Sequence, residues 1–109
     1  MIRIEKPWGY EIIWAETAEY VGKILHINPG HRLSKQYHEQ KEETVYVLKG
    51  KLYNYDADDN IETFLPGESF HVKPNQVHRF GANEMRVELV EVSTPYLDDV
   101  VRLEDDYSR

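Results

Sequence analysis

Cysteine is absent from the 109 residues, which excludes a disulfide framework and any thiolate metal site. No apolar run approaches the roughly 20 residues of a membrane span. The stretch from Met1 to Pro7 interrupts each short apolar step with a charge, so it does not read as a secretory signal. Basic residues are few beside acidic ones, 13 against 20, and the formal charge is −7. That balance speaks against a nucleic-acid partner and against anionic membrane surfaces. A phosphorylated small molecule stays compatible, because one local basic pocket overrides an average. With no targeting or spanning segment read, cytoplasmic is the default expectation.

Hydrophobic content of 40% and charged content of 30% fit one globular domain over 1–109. No linker, low-complexity tract or repeat divides it. Turn signals recur every ten or so residues, among them Asn28-Pro29-Gly30, Lys49-Gly50, Pro66-Gly67 and Lys73-Pro74-Asn75. Between the turns lie β-rich segments: Tyr10–Trp14, Tyr20–Ile27, Thr44–Leu48, Lys51–Tyr55, Ile61–Leu65, Ser69–Val72, His78–Phe80 and Arg86–Val92. In the last of these the apolar residues mostly keep the two-residue period of a half-buried strand. About eight short strands that must hide their edges predict an all-β barrel or jelly roll. Only the tail from Tyr96 to Tyr107 has helical character, with Leu97, Val100, Val101 and Leu103 as an apolar stripe. Eight tyrosines and two tryptophans either cover sheet faces or pack on a second copy of the chain.

The richest stretch for chemistry reads Gly30-x5-Gln36-Tyr37-His38-x4-Glu43-x6-Gly50. On an extended strand Gln36 and His38 project from one face and Tyr37 from the other. Glu43 opens the next apolar strand, and His78 arrives behind a later turn. Two imidazoles, a carboxylate and an amide oxygen suit a divalent transition metal. The alternative is a polar cluster in a barrel mouth with no ion. His26 reads as a strand-face residue, and His31 and His71 as loop or surface residues.

These residues resemble the two motifs of the cupin superfamily, motif 1 at about 30–50 and motif 2 at about 67–83. The likeness is closest to type II phosphomannose isomerases, the C-terminal domain of bifunctional mannose-1-phosphate guanylyltransferases. Lys6-Pro7-Trp8-Gly9, Pro29-Gly30-x2-Leu33-Ser34, His78-Arg79 and the tail from Asp98 to Arg109 carry it further. Nothing resembles the nucleotide-transferring half, so guanylyltransferase activity is not expected. Two departures stand out. Lys73-Pro74-Asn75-Gln76-Val77-His78 puts Asn75 where the family has glycine, and Asn tolerates the left-handed conformation a turn requires there. Lys41 stands where the isomerases carry an arginine.

The resemblance implies a double-stranded β-helix holding one metal on Gln36, His38, Glu43 and His78. Zinc is the first choice, with manganese, nickel, iron or cobalt as alternatives. It implies interconversion of mannose 6-phosphate and fructose 6-phosphate through an enediol, with Lys41 as the base. Desolvation beside a cation is expected to lower the pKa of Lys41. Arg79 and Arg102 lead the candidates for the substrate phosphate, ahead of Arg32, Lys35 and Lys73. A homodimer follows by fold analogy. Two other readings stay open: a metal cupin of different small-molecule chemistry, and a non-catalytic sugar- or sugar-phosphate-binding cupin. Gln36 disfavours an oxygenase, where histidine-rich or facial-triad ligation is usual.

Overall fold

In the computed structural model, which describes residues 1–107, strands follow one another with short turns between them. They are β1 (Ile2–Lys6), β2 (Gly9–Glu16), β3 (Val21–Ile27), β4 (Lys35–Tyr37), β5 (Glu43–Lys49) and β6 (Leu52–Tyr55). There follow β7 (Ile61–Phe64), β8 (Ser69–Val72), β9 (Phe80–Gly81), β10 (Val87–Ser93) and β11 (Val101–Glu104). A six-stranded sheet runs β1-β2-β3-β10-β5-β8. Facing it are a sheet β7-β6-β9 and a ribbon β11-β4. All pairings are antiparallel. This is the jelly roll expected, and the solved structures it superposes on share it.

Strand parity decides what enters the barrel. Along β10, Val87, Leu89, Glu91 and Ser93 are buried while Glu88, Val90 and Val92 point outward. Along β3 the inward set is Val21, Lys23, Leu25 and Ile27. Leu25, Ile27, Val45, Val47, Leu52, Val72, Phe80, Val87 and Leu89 form one apolar core. It fills one end of the barrel. Glu11, Lys23, Lys41, Glu43 and Glu91 are also buried, at inward positions nearer the other end.

Several turns use the left-handed backbone region, and two of them bear on the site and its barrel. Gly50 has φ 80°, and a side chain there would run into the backbone of Arg86. Asn75 has φ 66° in the turn that delivers His78, as its substitution for glycine led us to expect.

The helical tail is a correction. Among the described residues no helix forms, and the segment after Tyr96 passes through turns into β11, which pairs with β4 through Val101↔Tyr37 and Arg102↔Gln36. Leu103 is half exposed, so the supposed apolar stripe has no common face. The adjacent β-branched Val100 and Val101 favour extended backbone, and β4 offers an edge that would otherwise go unpaired. The last two residues of the terminal motif, Ser108 and Arg109, lie outside the described residues. β1 was also not anticipated: Ile2–Lys6 alternates apolar and charged residues over only five positions, too short a pattern to stand out beside Pro7.

Candidate metal centre

Three elements converge on one point inside the barrel. β4 leads into His38, β5 opens on Glu43, and the Asn75 turn carries His78, whose backbone bonds reciprocally with that of Gln36. His38 Nε2 lies 3.2 Å from Glu43 Oε1, and His78 Nε2 lies 3.3 Å from the same oxygen. One ligand atom from each of the three falls within 4.8 Å of the others, and all three residues are buried.

The opposite edges of the two rings show what belongs among them. His38 Nδ1 is 2.5 Å from the backbone oxygen of Asp99, and His78 Nδ1 is 3.0 Å from that of Gln76. A carbonyl oxygen only accepts, so each Nδ1 carries a proton and each ring turns its Nε2 inward, toward Glu43. Two ring nitrogens then converge on one carboxylate oxygen, which protons on the rings or one bound cation can satisfy. Ring nitrogens fixed by carbonyls on the far side are the usual support of metal-bound histidine. A divalent cation fits this donor set.

Glu43 supplies the negative charge. Burial acts to raise its carboxyl, but the contacts with His38, His78 and Glu91, together with the charge of Lys41, hold it well below the usual carboxylate range. Gln36 lines the same space, and its Oε1 accepts a hydrogen bond from Ser34 Oγ at 2.7 Å. An amide oxygen has a second lone pair, and that one is left for the cavity.

Lys41 stands over the cluster. Its Nζ is 3.7 Å from Glu43 Oε2 and 3.3 Å from Glu91 Oε2. Desolvation by burial works to lower its pKa, as the sequence reading held, yet Glu91 and Glu43 prevail and the protein surroundings raise it. Burial first, and then the charge of Glu43, push the Glu91 carboxyl up to about 8.

Arg79 and Arg102 are put to different uses. The Arg79 guanidinium is buried, with Nε donating to the Leu33 carbonyl at 2.8 Å and Nη2 to Asp106 at 2.9 Å. Arg32 holds the same Asp106, at 2.6 Å, and Lys35 pairs with Asp59 at 2.9 Å. Arg102 lines the mouth cavity beside His38 and Lys41. The other histidines stand apart: His26 stacks on Tyr10, His31 bonds Tyr107, and His71 bonds Glu42 on the surface.

Sequence reasoning missed Asp99, Glu91, Lys23 and Glu11. The carboxylate of Asp99 accepts the backbone N–H groups of Glu39, Gln40 and Lys41, and these bonds lower its pKa. Parity was the available signal for Glu91 and Lys23. Each shares a strand face with residues that had to be core, Leu89 for one and Leu25 for the other.

The space beside the cluster is small and polar. An inner cavity of about 60 Å³ opens to a mouth cavity of about 100 Å³, and Glu11, Lys23, Leu33, Gln36 and Lys41 line both. Both fall short of the roughly 300–1,000 Å³ of drug-sized sites. A ligand here is therefore small, or leaves one end outside.

A small β-barrel with a buried His-Glu-His cluster that could hold a metal ion, beside a polar cavity, defines a class of barrel proteins. A family model described as a cupin domain matches residues 23–93, and the chain belongs to the cupin family. Over 110 residues it is 31% identical to the alginate biosynthesis protein AlgA of Pseudomonas aeruginosa, covering 97% of this chain and 23% of that protein. Over 108 residues it is 28% identical to the mannose-1-phosphate guanylyltransferase RfbM of Salmonella typhimurium, covering 91% of this chain and 21% of that protein. The chain thus spans under a quarter of the length of these curated relatives. A solved sugar phosphate isomerase of the cupin superfamily from Silicibacter pomeroyi superposes with a TM-score of 0.75 at 16% identity, covering 89% of this chain and 66% of that one. This likeness shows the fold.

Proposed function

We propose that the protein is a metal-dependent sugar-phosphate isomerase that interconverts mannose 6-phosphate and fructose 6-phosphate. The observation that carries this is the inward-facing His38-Glu43-His78 cluster with the Lys41 ammonium beside it, in a chain similar along nearly its whole length to a mannose-1-phosphate guanylyltransferase. Aldose–ketose isomerisation moves a proton between adjacent carbons through an enediol. It needs a proton carrier and an electrophile for the oxygens.

His38, Glu43 and His78, with Gln36, would hold a divalent ion, zinc first, and such an ion supplies the electrophile for the carbonyl and hydroxyl oxygens. The remaining work belongs to the chain's own side chains. Lys41 is assigned the proton transfer: as the amine it would take a proton from one carbon and as the ammonium return it to the next, with a cation on Glu43 offsetting the carboxylate charge that otherwise raises its pKa. Arg102, at the mouth, meets the phosphate, which suits a ligand whose far end does not fit inside. Arg79 is assigned instead to holding the terminal segment in place. The homodimer belongs to the same proposal, through the outer face of the large sheet where Trp14, Tyr46 and Val92 are exposed. Sedimentation velocity tests it. A cytoplasmic place fits the substrate.

A coupled assay on mannose 6-phosphate, with and without added Zn²⁺, is the test. Turnover that appears with metal and disappears in His38→Ala supports the isomerase. No turnover with any divalent ion removes it and leaves the binding cupin.

A further inference from the structure

The reaction as assigned leaves one buried ion pair of the cavity lining unexplained. Glu11 on β2 and Lys23 on β3 both point into the barrel, at 8% and 7% exposure. Lys23 Nζ donates to Glu11 Oε1 at 3.5 Å, and Lys6 Nζ approaches the same oxygen to 3.9 Å from the mouth. Both residues line the inner and the mouth cavities, together with Gln36 and Lys41.

Folding gives no reason for this pair. A buried ion pair is often worth no more than apolar side chains of the same volume, and replacing one is frequently neutral or stabilising. The same strands fill their other inward positions with Ile13, Leu25 and Ile27, so apolar filling is open to them. Inside the cavity the pair carries no net charge of its own, the extra positive charge of Lys6 lying at the mouth. That makes it a poor seat for a phosphate and a good one for hydroxyls, each of which donates one hydrogen bond and accepts others. An ammonium has three donors, and Glu11 takes one. A carboxylate accepts at two oxygens.

We propose that Glu11 and Lys23 form a polyol-binding wall: Lys23 donates to sugar oxygens, Glu11 accepts from sugar hydroxyls, and together they select ligands carrying a vicinal diol. This rests on the sugar-phosphate reading and sharpens its substrate class. It divides the work between neutral recognition inside and anion recognition by Arg102 outside.

The probe is a hexitol phosphate, which keeps the hydroxyls and phosphate of the substrate and has no carbonyl to react. Calorimetry is run on the zinc-loaded wild type and on the double variant Glu11→Leu, Lys23→Met. The expected result is binding weakened at least 30-fold, with bound zinc unchanged and the melting temperature unchanged or higher. Glu11→Gln, which keeps the volume, is expected to weaken binding at least fivefold. Wild-type affinity in the double variant would overturn the proposal, as would loss of zinc and of melting temperature in step with binding. A wild type that binds no hexitol phosphate also overturns it. A wild type that binds the hexitol phosphate but does not turn over mannose 6-phosphate leaves the wall standing and removes only the isomerase.

Discussion

The backbone oxygen of Asp99 lies 2.5 Å from Nδ1 of His38, while the carboxylate of the same residue gathers three successive N–H groups from Glu39 to Lys41. One residue of the terminal segment thus orients the His38 ring, a proposed ligand, and the loop that carries Lys41. Asp99→Ala removes the three side-chain bonds and loosens both. Metal affinity is expected to fall about 10–100-fold, as for other residues that support ligands without touching the ion. Competition with a fluorescent chelator reads this, and unchanged affinity would show that the loop holds itself.

Lys41 touches the cluster through Glu43 without being a ligand. Lys41→Met should therefore keep its bound metal and lose about 10²–10⁴-fold in turnover, the usual contribution of a positioned proton carrier. Metal content and coupled-assay rates from one preparation separate the two effects. Full activity in the variant would take Lys41 out of the reaction.

The terminal segment is pinned by Asp106 between Arg32 and Arg79. The hydrogen bond from Arg32 comes first among the causes that hold the Asp106 carboxyl below its ordinary value. A depressed folded pKa contributes stability that is complete above the unfolded value, near 3.9, and is lost as pH falls through the folded value. Acid should release this segment only below about pH 4, seen as a change in Tyr107 fluorescence. In Asp106→Asn the same change is expected to be present already at neutral pH. A wild-type transition near pH 6 would contradict the assignment.

Asn75 holds φ 66° directly before the segment that delivers His78. Asn75→Gly should leave stability unchanged or raise it, because glycine enters this region freely. Asn75→Val should cost about 1–2 kcal/mol and lower the melting temperature by roughly 4 °C or more. Equal melting temperatures for the two variants would show that the turn is not held in this conformation.

Local pattern carried the reading of the sequence a long way. The two-residue period of β10 and the Pro and Gly punctuation located most strands, and motif spacing brought out Gln36, His38, Glu43 and His78 together. The tail failed because an apolar spacing of three and four over twelve residues, five of them acidic, says nothing about the open edge of β4, which is a tertiary fact. The partners of Arg79 were hidden for a related reason. Its neighbour His78 faces inward, but the partners that claim the guanidinium, Leu33 and Asp106, come from distant parts of the chain. The direction of the Lys41 shift turned on Glu91, a residue 50 positions away that pairing alone sets beside it.

Elemental analysis of the purified chain after zinc loading and gel filtration, beside Glu43→Gln and His78→Ala, tests the central claim most directly. One equivalent of zinc in the wild type and a small fraction of that in each variant is the predicted result. A wild type that retains no zinc, or variants that retain as much as it does, would contradict the metal centre.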